Sequence, residues 1–400
     1  MREIYLDNAA TTAVDPAVLK AMKPYWSEIY GNAMSFNDAG RKAKKAMEES
    51  RKKIARILGA KNQEIIFTSS ATESNNLAIL GIAKACKNKK IEIITTRADH
   101  HSVLEPIKKL EKDGAKIHYL PVNKEGFINL DQLKKSLNLN TALVSIIYAS
   151  NEIGTIQPIK KTAKIIKEFR KRSGYPYFHT DAAQATSYLD INVNNLGVDL
   201  MTLSSSKIHG PKGMAILYVR QGTEIEPLIY GGGQEFGLRS STPNVSLIAG
   251  FAKALEITNN EKGGTNKKLE DLRKNFINKL KRGLPGVKIN GPEKEENLVP
   301  SIISITIPKI ENEQVLLHLD KYGIRASAGS ACASYDIEPS HVLASIGLSK
   351  EEARWSIRFS LSKKTTKTEL DYVLKIMPKV VNTIERLYPK DLKKQYHTKS

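Results

Sequence analysis

Lys207 stands in the segment LSSSKIHGPKG, directly after a strand-like run and before a glycine-proline turn. The chain contains 62 Lys and Arg residues, so this lysine taken alone would be one more solvated surface charge. A lysine held in a pocket behaves differently, because desolvation lowers its pKa and frees its amine for covalent chemistry or proton transfer. The choice between these interpretations depends on which other side chains the fold brings to it.

Polar residues also follow several other predicted strands, at the point where each strand ends. They are Ser69, Ser70 and Thr72 after EIIFT, His100 after IEIITT, Asn151 after ALVSIIYAS, Asp181 and Gln184 in YFHTDAAQ, and residues 204–207 after VDLMTL. In open parallel α/β sheets, ligands bind at the carboxyl ends of the strands. We therefore expect these side chains to meet at one edge of a sheet.

Each of these residues has an ordinary structural explanation as well. The serines and Thr72 could be helix N-caps or could hold a phosphate at a helix N-terminus. Asp181 could cap the next helix, and His100 could be a loop histidine or, less readily without a nearby Cys or carboxylate cluster, a metal ligand. Taken together, they supply a phosphate cup, a ring for stacking, a buried carboxylate and a strand-end lysine, as pyridoxal phosphate requires. We predict that Lys207 forms a Schiff base with this cofactor, that Asp181 keeps its pyridine nitrogen protonated, and that no metal is used.

The elements that would position these residues are short apolar strands alternating with helical segments between about residues 40 and 250. Such alternation predicts an α/β fold with a mostly parallel sheet covered by helices on both faces. After about residue 255 come a long charged helical stretch, the strand-like runs SIISITI and WSIRFSLS, and a last helix. We predict a large α/β domain over residues 14–255, a smaller α+β domain formed by residues 1–13 and 256–388, and a basic tail over residues 389–400.

Composition narrows the class of protein. Hydrophobic residues make up 40% and charged residues 26% of the chain, which is typical of a soluble globular protein. No apolar run approaches the roughly 20 residues that cross a bilayer, and the start, MREIYLDNAATT, does not resemble a secretory signal. Two cysteines, Cys86 and Cys332, are too few for a disulfide framework or a Cys-based zinc site, so we expect a cytoplasmic protein.

The formal net charge is +20, which could indicate an acidic partner such as tRNA or an acidic carrier protein. The basic runs carry no interleaved aromatic residues, and we interpret them as a solvated Lys-rich surface without direct nucleic-acid binding.

Seven ordered motifs carry a resemblance to a known family: YLDNAATT, FTSSATESNNLAI, ASNEIGTIQPI, HTDAAQ, KIHGPKG, GGGQEFGLRSST and GSACAS...EPSHVL...SIRFSL. They resemble, in order, the motifs of cysteine desulfurases, which are fold-type I pyridoxal-phosphate enzymes of the class V aminotransferase group. The resemblance extends from Tyr5 to about residue 388. It implies a seven-stranded sheet, a homodimer and L-cysteine as substrate.

The resemblance also implies a role for each matching residue. His100 is similar to the histidine that stacks on the cofactor ring and transfers protons, Asn151 and Gln184 to residues that hold the ring and its hydroxyl, and Arg358 to the residue that grips the substrate carboxylate. The positions that match phosphate contacts are Ala71, Thr72, Ser204, Ser206 and, from the second subunit, Thr242.

Cys332 decides the reaction type. Its surroundings, ASAGSACAS, are nearly all small residues, which predicts a mobile loop, whereas a structural cysteine would prefer an apolar strand or helix. We interpret Cys332 as the thiolate that takes sulfur from L-cysteine as a persulfide and leaves L-alanine. The segment resembles the long-loop class of the family, whose members hand sulfur to acceptor proteins such as an iron–sulfur scaffold or a thiolation carrier. We interpret Cys86 as structural.

Three departures from the family pattern are visible. Ser206 stands where a histidine usually precedes the lysine, Ala33 and Asn37 replace a proline and a histidine expected at the rim of the substrate pocket, and Pro243 follows Thr242. The alternatives are another enzyme on the same scaffold, such as an aminotransferase or a selenocysteine lyase, and a basic RNA-binding or scaffold protein without activity. Cys332 argues against an aminotransferase, and the retained Lys207 argues against an inactive scaffold.

Overall fold

The computed structural model describes residues 3–86, 90–171, 174–329 and 339–387. The strands are β1 (Ile4–Tyr5), β2 (Ile65–Thr68), β3 (Glu92–Thr96), β4 (Lys116–Leu120), β5 (Thr141–Ser145), β6 (Tyr177–Asp181), β7 (Leu200–Ser204), β8 (Ala215–Val219), β9 (Lys288–Asn290), β10 (Ile302–Thr306), β11 (Ile324–Arg325) and β12 (Ser356–Ser360). Cys332 and the predicted basic tail lie outside the described residues.

The α-helices complete the set of elements. They are α1 (Pro16–Met22), α2 (Pro24–Ser27), α3 (Asp38–Leu58), α4 (Ala71–Ala85), α5 (His101–Lys112), α6 (Leu130–Ser136), α7 (Ile159–Arg170), α8 (Val193–Leu196), α9 (Val245–Gly283), α10 (Asn312–Lys321), α11 (His341–Ser345), α12 (Lys350–Arg354) and α13 (Lys367–Leu387). Within the described residues, no helix has the length and apolar character needed to span a membrane.

The large sheet has seven strands in the order β2-β8-β7-β6-β5-β3-β4. Only β8 runs against its neighbours β2 and β7, and the other pairings are parallel. Strand β4, with the sequence KIHYL, forms one edge of the sheet and was not predicted, because its polar residues hide a strand pattern. The prediction of a mostly parallel α/β sheet is confirmed.

Apart from the edge strand β4, the strands of this sheet are buried on both faces, as their largely apolar residues require. Neighbouring residues of one strand enter different hydrophobic clusters. Ile65 packs in the cluster that includes α3 and the start of α9, whereas Ile66 packs in the cluster that includes α4 and α5. Helices therefore cover the sheet on both sides and fix the carboxyl ends of its strands.

A smaller antiparallel sheet, β12-β10-β9, lies in the second half of the chain. Successive residues of a strand face opposite sides: Ile357 and Phe359 of β12 pack in a further hydrophobic cluster with α10 and α13, which leaves Arg358 on the other face. Strand β1 pairs in parallel with β11, so the N-terminal segment joins this part of the molecule. Helix α9 contributes to the first cluster and to this one, and it runs unbroken across residue 255, so the division into two domains there stays a prediction.

Candidate active site

The carboxyl ends of the large sheet border a cavity of about 210 Å³. Strand β6 ends at Asp181 and β7 at Ser204, while α4 begins shortly after the end of β2. The predicted site residues that line this cavity are Ala71, Thr72, His100, Asn151, Asp181, Gln184, Ser204, Ser206, Lys207 and Arg358. The structure thus brings these residues together, whereas Ser69 and Thr242 line a different cavity and Cys332 lies outside the described residues.

Lys207 lies in a 3₁₀ turn directly after β7. Its Nζ donates a hydrogen bond to the carbonyl oxygen of Ala10, and Gln184 Nε2 donates to the carbonyl of Ala9 over 2.8 Å. The backbone of Thr12 donates to the carbonyl of Ser206 over 2.9 Å. The N-terminal segment therefore forms one wall of the cavity and fixes the turn that carries the lysine.

Asp181 is a buried carboxylate at the end of a central strand, with 5% of its surface exposed. Its Oδ1 accepts the backbone N–H of Ala183 over 2.9 Å, and its Oδ2 accepts Asn75 Nδ2 over 2.7 Å. These two donors fix the orientation of the carboxylate. Asp181 can therefore present a buried carboxylate in a fixed position to a cationic group in the cavity.

His100 is the N-cap residue of α5. Its Nδ1 accepts the backbone N–H of Ser102 over 3.1 Å and lies 2.8 Å from Ser102 Oγ. Because Nδ1 accepts an N–H, the neutral ring carries its proton on Nε2. Burial lowers the pKa of His100, Asp181 opposes this shift, and Lys207 reinforces it. The ring is thus a neutral aromatic surface with an N–H at Nε2.

Asn75 joins these two groups. Its Nδ2 donates to Asp181 and, over 2.8 Å, to Ser102 Oγ, which in turn contacts His100. Asn75 and Ser102 were not predicted as site residues. The available signal was polarity, since Ser74 and Asn75 are 0% exposed within the otherwise apolar buried face of α4.

Small polar groups gather at the N-terminus of α4, where the first N–H groups have no partner within the helix. Ala71 and Thr72 stand at this end, opposite Ser204 and Ser206, whose Oγ atoms lie 3.2 Å apart. Helix N–H groups and hydroxyls together form an anion site.

Arg358 reaches the cavity from the small sheet. Its side chain is 2% exposed, and its Nη2 lies 2.8 Å from Asp7 Oδ1. Nη1 donates to the backbone carbonyl of Asn151 over 2.9 Å, whereas Nε has no hydrogen-bond partner among the described residues. Asp7 is a further residue that the sequence analysis did not identify.

Glu152 is a fully buried carboxyl in the same region. Burial raises its pKa, while a hydrogen bond from Ser340 and the positive charge of Arg358 lower it. Ser340 Oγ donates to Glu152 Oε2 over 2.5 Å.

Thr242 lies apart from the other predicted residues. It is exposed and lines a separate surface cavity with Ser69 and Arg239. Of the departures from the family pattern, Asn37 is the N-cap of α3, accepting the N–H of Gly40 over 2.9 Å, and Ala33 is buried in the first hydrophobic cluster. Within the described part of the chain, neither of these two lines the cavity with Lys207.

The donor set fits pyridoxal phosphate. An amine, a buried carboxylate, a neutral aromatic ring and an anion site surround one cavity, and these match the aldehyde, the pyridine nitrogen, the ring and the phosphate of that cofactor. Among the described residues, no group of three or more His, Cys, Asp or Glu side chains is arranged to hold a metal ion.

Comparisons with known proteins agree with this arrangement. The family described as Aminotransferase class-V matches residues 4–373. A cysteine desulfurase IscS of Dictyoglomus turgidum is 46% identical over 97% of this chain and 97% of its own length. Among solved structures, a NifS-like protein has a TM-score of 0.89 and 38% identity, with 96% of this chain and 100% of that chain covered. The structure described as SspA in complex with cysteine has a TM-score of 0.79 and 35% identity over 91% of this chain and 100% of that chain.

Proposed function

The chain belongs to the cysteine desulfurases of the class-V aminotransferase family, and from this premise we propose how its own residues convert L-cysteine to L-alanine and transfer the sulfur. The observation that carries the proposal is the convergence of Lys207, Asp181, His100 and Arg358 on one cavity. The prediction of a cysteine desulfurase is confirmed at the level of the family, and the role of each residue is a proposal.

Pyridoxal phosphate, when bound, withdraws electrons from the carbon atoms of an attached amino acid. Asp181 would hold the protonated pyridine nitrogen, and His100 would lie against the ring. The N-terminus of α4, with Ser204 and Ser206, would hold the phosphate. In the structure, the backbone carbonyl of Asn151 contacts Arg358. We propose that the side chains of Asn151 and Gln184 would hold the cofactor ring and its hydroxyl.

Lys207 and Arg358 act on different parts of the substrate. The guanidinium of Arg358 binds the α-carboxylate, for which its planar set of donors is suited. The Lys207 amine transfers protons at the substrate carbons. His100, neutral and with its proton on Nε2, is a second group able to transfer a proton.

Cys332, outside the described residues, would accept the sulfur. Its thiolate attacks the sulfur of L-cysteine, so that an S–S bond forms and the bond between Cβ and sulfur breaks. The electron pair of the broken bond takes up a proton at Cβ, which gives L-alanine, and Cys332 is left as a persulfide. We propose that acceptor proteins in the cytoplasm, such as an iron–sulfur scaffold or a thiolation carrier, receive this sulfur.

We further propose that the enzyme is a homodimer in which Thr242 contacts the phosphate bound by the other subunit. Thr242 is exposed and lies just before α9, whose Ser246 Oγ donates to the carbonyl of Met22 over 3.2 Å. The segment that follows Met22 exposes the large side chains of Trp26 (60%) and Phe36 (96%). Burial of this surface against a second copy is favourable, and sedimentation analysis measures the mass directly.

The decisive experiment is to measure alanine and sulfide released from L-cysteine, with a reductant, by the protein loaded with pyridoxal phosphate. We expect equal amounts of both products from the parent enzyme and from Cys86→Ala, and neither from Cys332→Ala. A yellow protein that releases neither product but transfers amino groups to keto acids would instead be an aminotransferase.

A further inference from the structure

Asp7 contacts the substrate-binding arginine without belonging to any group assigned above. Its Oδ1 lies 2.8 Å from Nη2 of Arg358, and the two residues are 351 positions apart in the chain. A guanidinium has five N–H donors in a fixed plane. Asp7 and the carbonyl of Asn151 each take one of them, and the Nε–H remains without a hydrogen-bond partner among the described residues.

The backbone around Asp7 is fixed from both sides. The N–H of Leu6 donates to Arg325 over 2.8 Å, and the N–H of Ser360 donates to the carbonyl of Leu6 over 2.7 Å. Asn8 Nδ2 donates to the carbonyl of Ser360 over 2.9 Å. Asp7 is therefore built into the edge of both small sheets, and its carboxylate is a fixed support for the guanidinium.

The residues that follow Asn8 support two other side chains of the site. The carbonyl of Ala9 accepts a hydrogen bond from Gln184, and the carbonyl of Ala10 accepts one from Lys207. The distance between the arginine and the lysine is thus set by one short stretch of backbone. A substrate must reach both groups at once, so an error in the direction of the guanidinium lowers the affinity for the carboxylate.

We propose that Asp7 is a positioning residue for substrate recognition, which holds one edge of the Arg358 guanidinium so that the remaining N–H donors face the α-carboxylate. This inference rests on the proposed role of Arg358. Fixing the side chain in advance reduces the ordering cost when the substrate binds. Asp7 keeps its contact with Arg358 throughout binding and does not compete with the carboxylate.

The test compares two ligands that differ by a carboxylate. L-Alanine, the reaction product, and ethylamine, which is the same molecule without the carboxylate, are titrated into the holoenzyme while the absorbance of the cofactor is followed. For Asp7→Ala, we expect L-alanine to bind about 10- to 30-fold more weakly, as for loss of a charge-assisted hydrogen bond, and ethylamine to bind within about 2-fold of the parent enzyme. Asp7→Asn, which keeps an accepting oxygen of similar shape, should give a smaller effect and covers the case in which Asp7→Ala does not fold.

The matched control is Asp320→Asn, which removes an exposed carboxylate paired with Arg325 on the neighbouring strand β11. It should leave both affinities unchanged. Tighter binding of L-alanine in the Asp7 variants would mean that Asp7 competes with the substrate, and equal weakening of both ligands would mean a general structural role, so either result overturns the proposal. The ratio of the two affinities does not depend on sulfur transfer. A failure of the proposed desulfurase reaction, which would appear as absent alanine release from L-cysteine, is therefore distinguishable from a failure of the proposed role of Asp7.

Discussion

Two arginines of this protein are buried to the same extent, with 2% of each side chain exposed, and only one of them borders the cavity. Arg51, on α3, uses all three nitrogens. It pairs with both carboxylate oxygens of Glu235 at 2.8 and 2.9 Å, contacts the carbonyl of Ile65 at 2.5 Å and Glu48 at 3.3 Å, and lies over the ring of Phe67. Its charge is fully compensated within the protein.

The charge of Arg358 is compensated only in part within the described residues. The side chain contacts Asp7 and the carbonyl of Asn151, and its Nε has no hydrogen-bond partner among the described residues. A buried donor without a partner is costly, and a substrate carboxylate removes this cost. Burial alone therefore does not distinguish a structural charge from a recognition charge, whereas a buried donor without a partner, on a residue that lines a cavity, does.

Two histidines, His179 buried and His100 half-buried, show the same contrast. His179 contacts Ser145 Oγ at 2.8 Å through Nδ1 and Thr202 Oγ1 at 3.2 Å through Nε2. His100 contacts Ser102 Oγ through Nδ1 and lines the cavity, which His179 does not. We therefore propose that His179 supports the strand that ends at Asp181 and that His100 takes part in the chemistry.

The largest effect should come from the fully compensated arginine. We expect Arg51→Leu to reduce the free energy of unfolding by about 3–5 kcal/mol, because it leaves the buried Glu235 unpaired. Urea unfolding of the holoenzyme measures this loss, and kcat/KM for folded enzyme should change little. Arg41→Leu, which removes an exposed pair with Asp38 on the same helix, should cost at most about 1 kcal/mol. If Arg51→Leu loses as little unfolding free energy as Arg41→Leu, Arg51 is not a structural charge.

For Arg358 we expect the opposite result, a loss of activity rather than of stability. Arg358→Lys keeps the charge and loses the planar set of donors, so we expect kcat/KM for L-cysteine to fall by about 100- to 1,000-fold, or about 3–4 kcal/mol, mainly through KM. Steady-state kinetics and urea unfolding, run together, separate binding from stability. The exposed Arg354→Lys on α12 is the control and should change neither quantity. A stability loss equal to that of Arg51→Leu, with KM unchanged, would place Arg358 in the structural class.

Local sequence patterns were sufficient to predict which residues lie at the carboxyl ends of the strands. A buried strand followed by a polar residue predicts one edge of a parallel sheet, and this placed Asp181, Ser204 and Lys207 correctly around one cavity. The long motifs identified the family, and with it Arg358 as the match to the residue that grips the substrate carboxylate.

The supporting contacts could not be predicted in this way. Asn75 reaches Asp181 across 106 positions, and Asp7 reaches Arg358 across 351. Such pairs depend on how two separate elements pack, which periodicity within either element does not record. The role of each site residue stays a prediction. Thr242 lies apart from the cavity, and Cys332 lies outside the described residues.

The buried His179 should make the stability of the protein depend on pH. Burial lowers the pKa of His179 from 6.5 to about 4, so between pH 6.5 and 4 the unfolded chain binds a proton that the folded protein does not. Stability is therefore full above pH 6.5 and falls with decreasing pH, by about 3 kcal/mol in total at about 1.4 kcal/mol for each unit of pKa. Urea unfolding at several pH values should show a correspondingly shallower decline in His179→Gln than in the parent protein. Identical slopes in the two proteins would show that His179 does not titrate as its burial requires.

The smallest expected effect concerns Ser206, which stands where the family usually has a histidine. Its carbonyl is held by the backbone N–H and the hydroxyl of Thr12, both at 2.9 Å, so a change of side chain should leave the turn in place. We expect Ser206→Ala to weaken pyridoxal phosphate binding by about 3- to 10-fold, near 1 kcal/mol, because one of several donors to the phosphate is lost. Ser206→His should bind pyridoxal phosphate at least as tightly as the parent protein. Titration of the apoprotein, followed by absorbance, measures both, and Ser187→Ala, whose hydroxyl donates to the carbonyl of Lys207 over 3.2 Å outside the cavity, is the control. If Ser206→Ala binds the cofactor as tightly as the parent protein, the hydroxyl does not contact the phosphate, and the N-terminus of α4 with Ser204 carries the anion site.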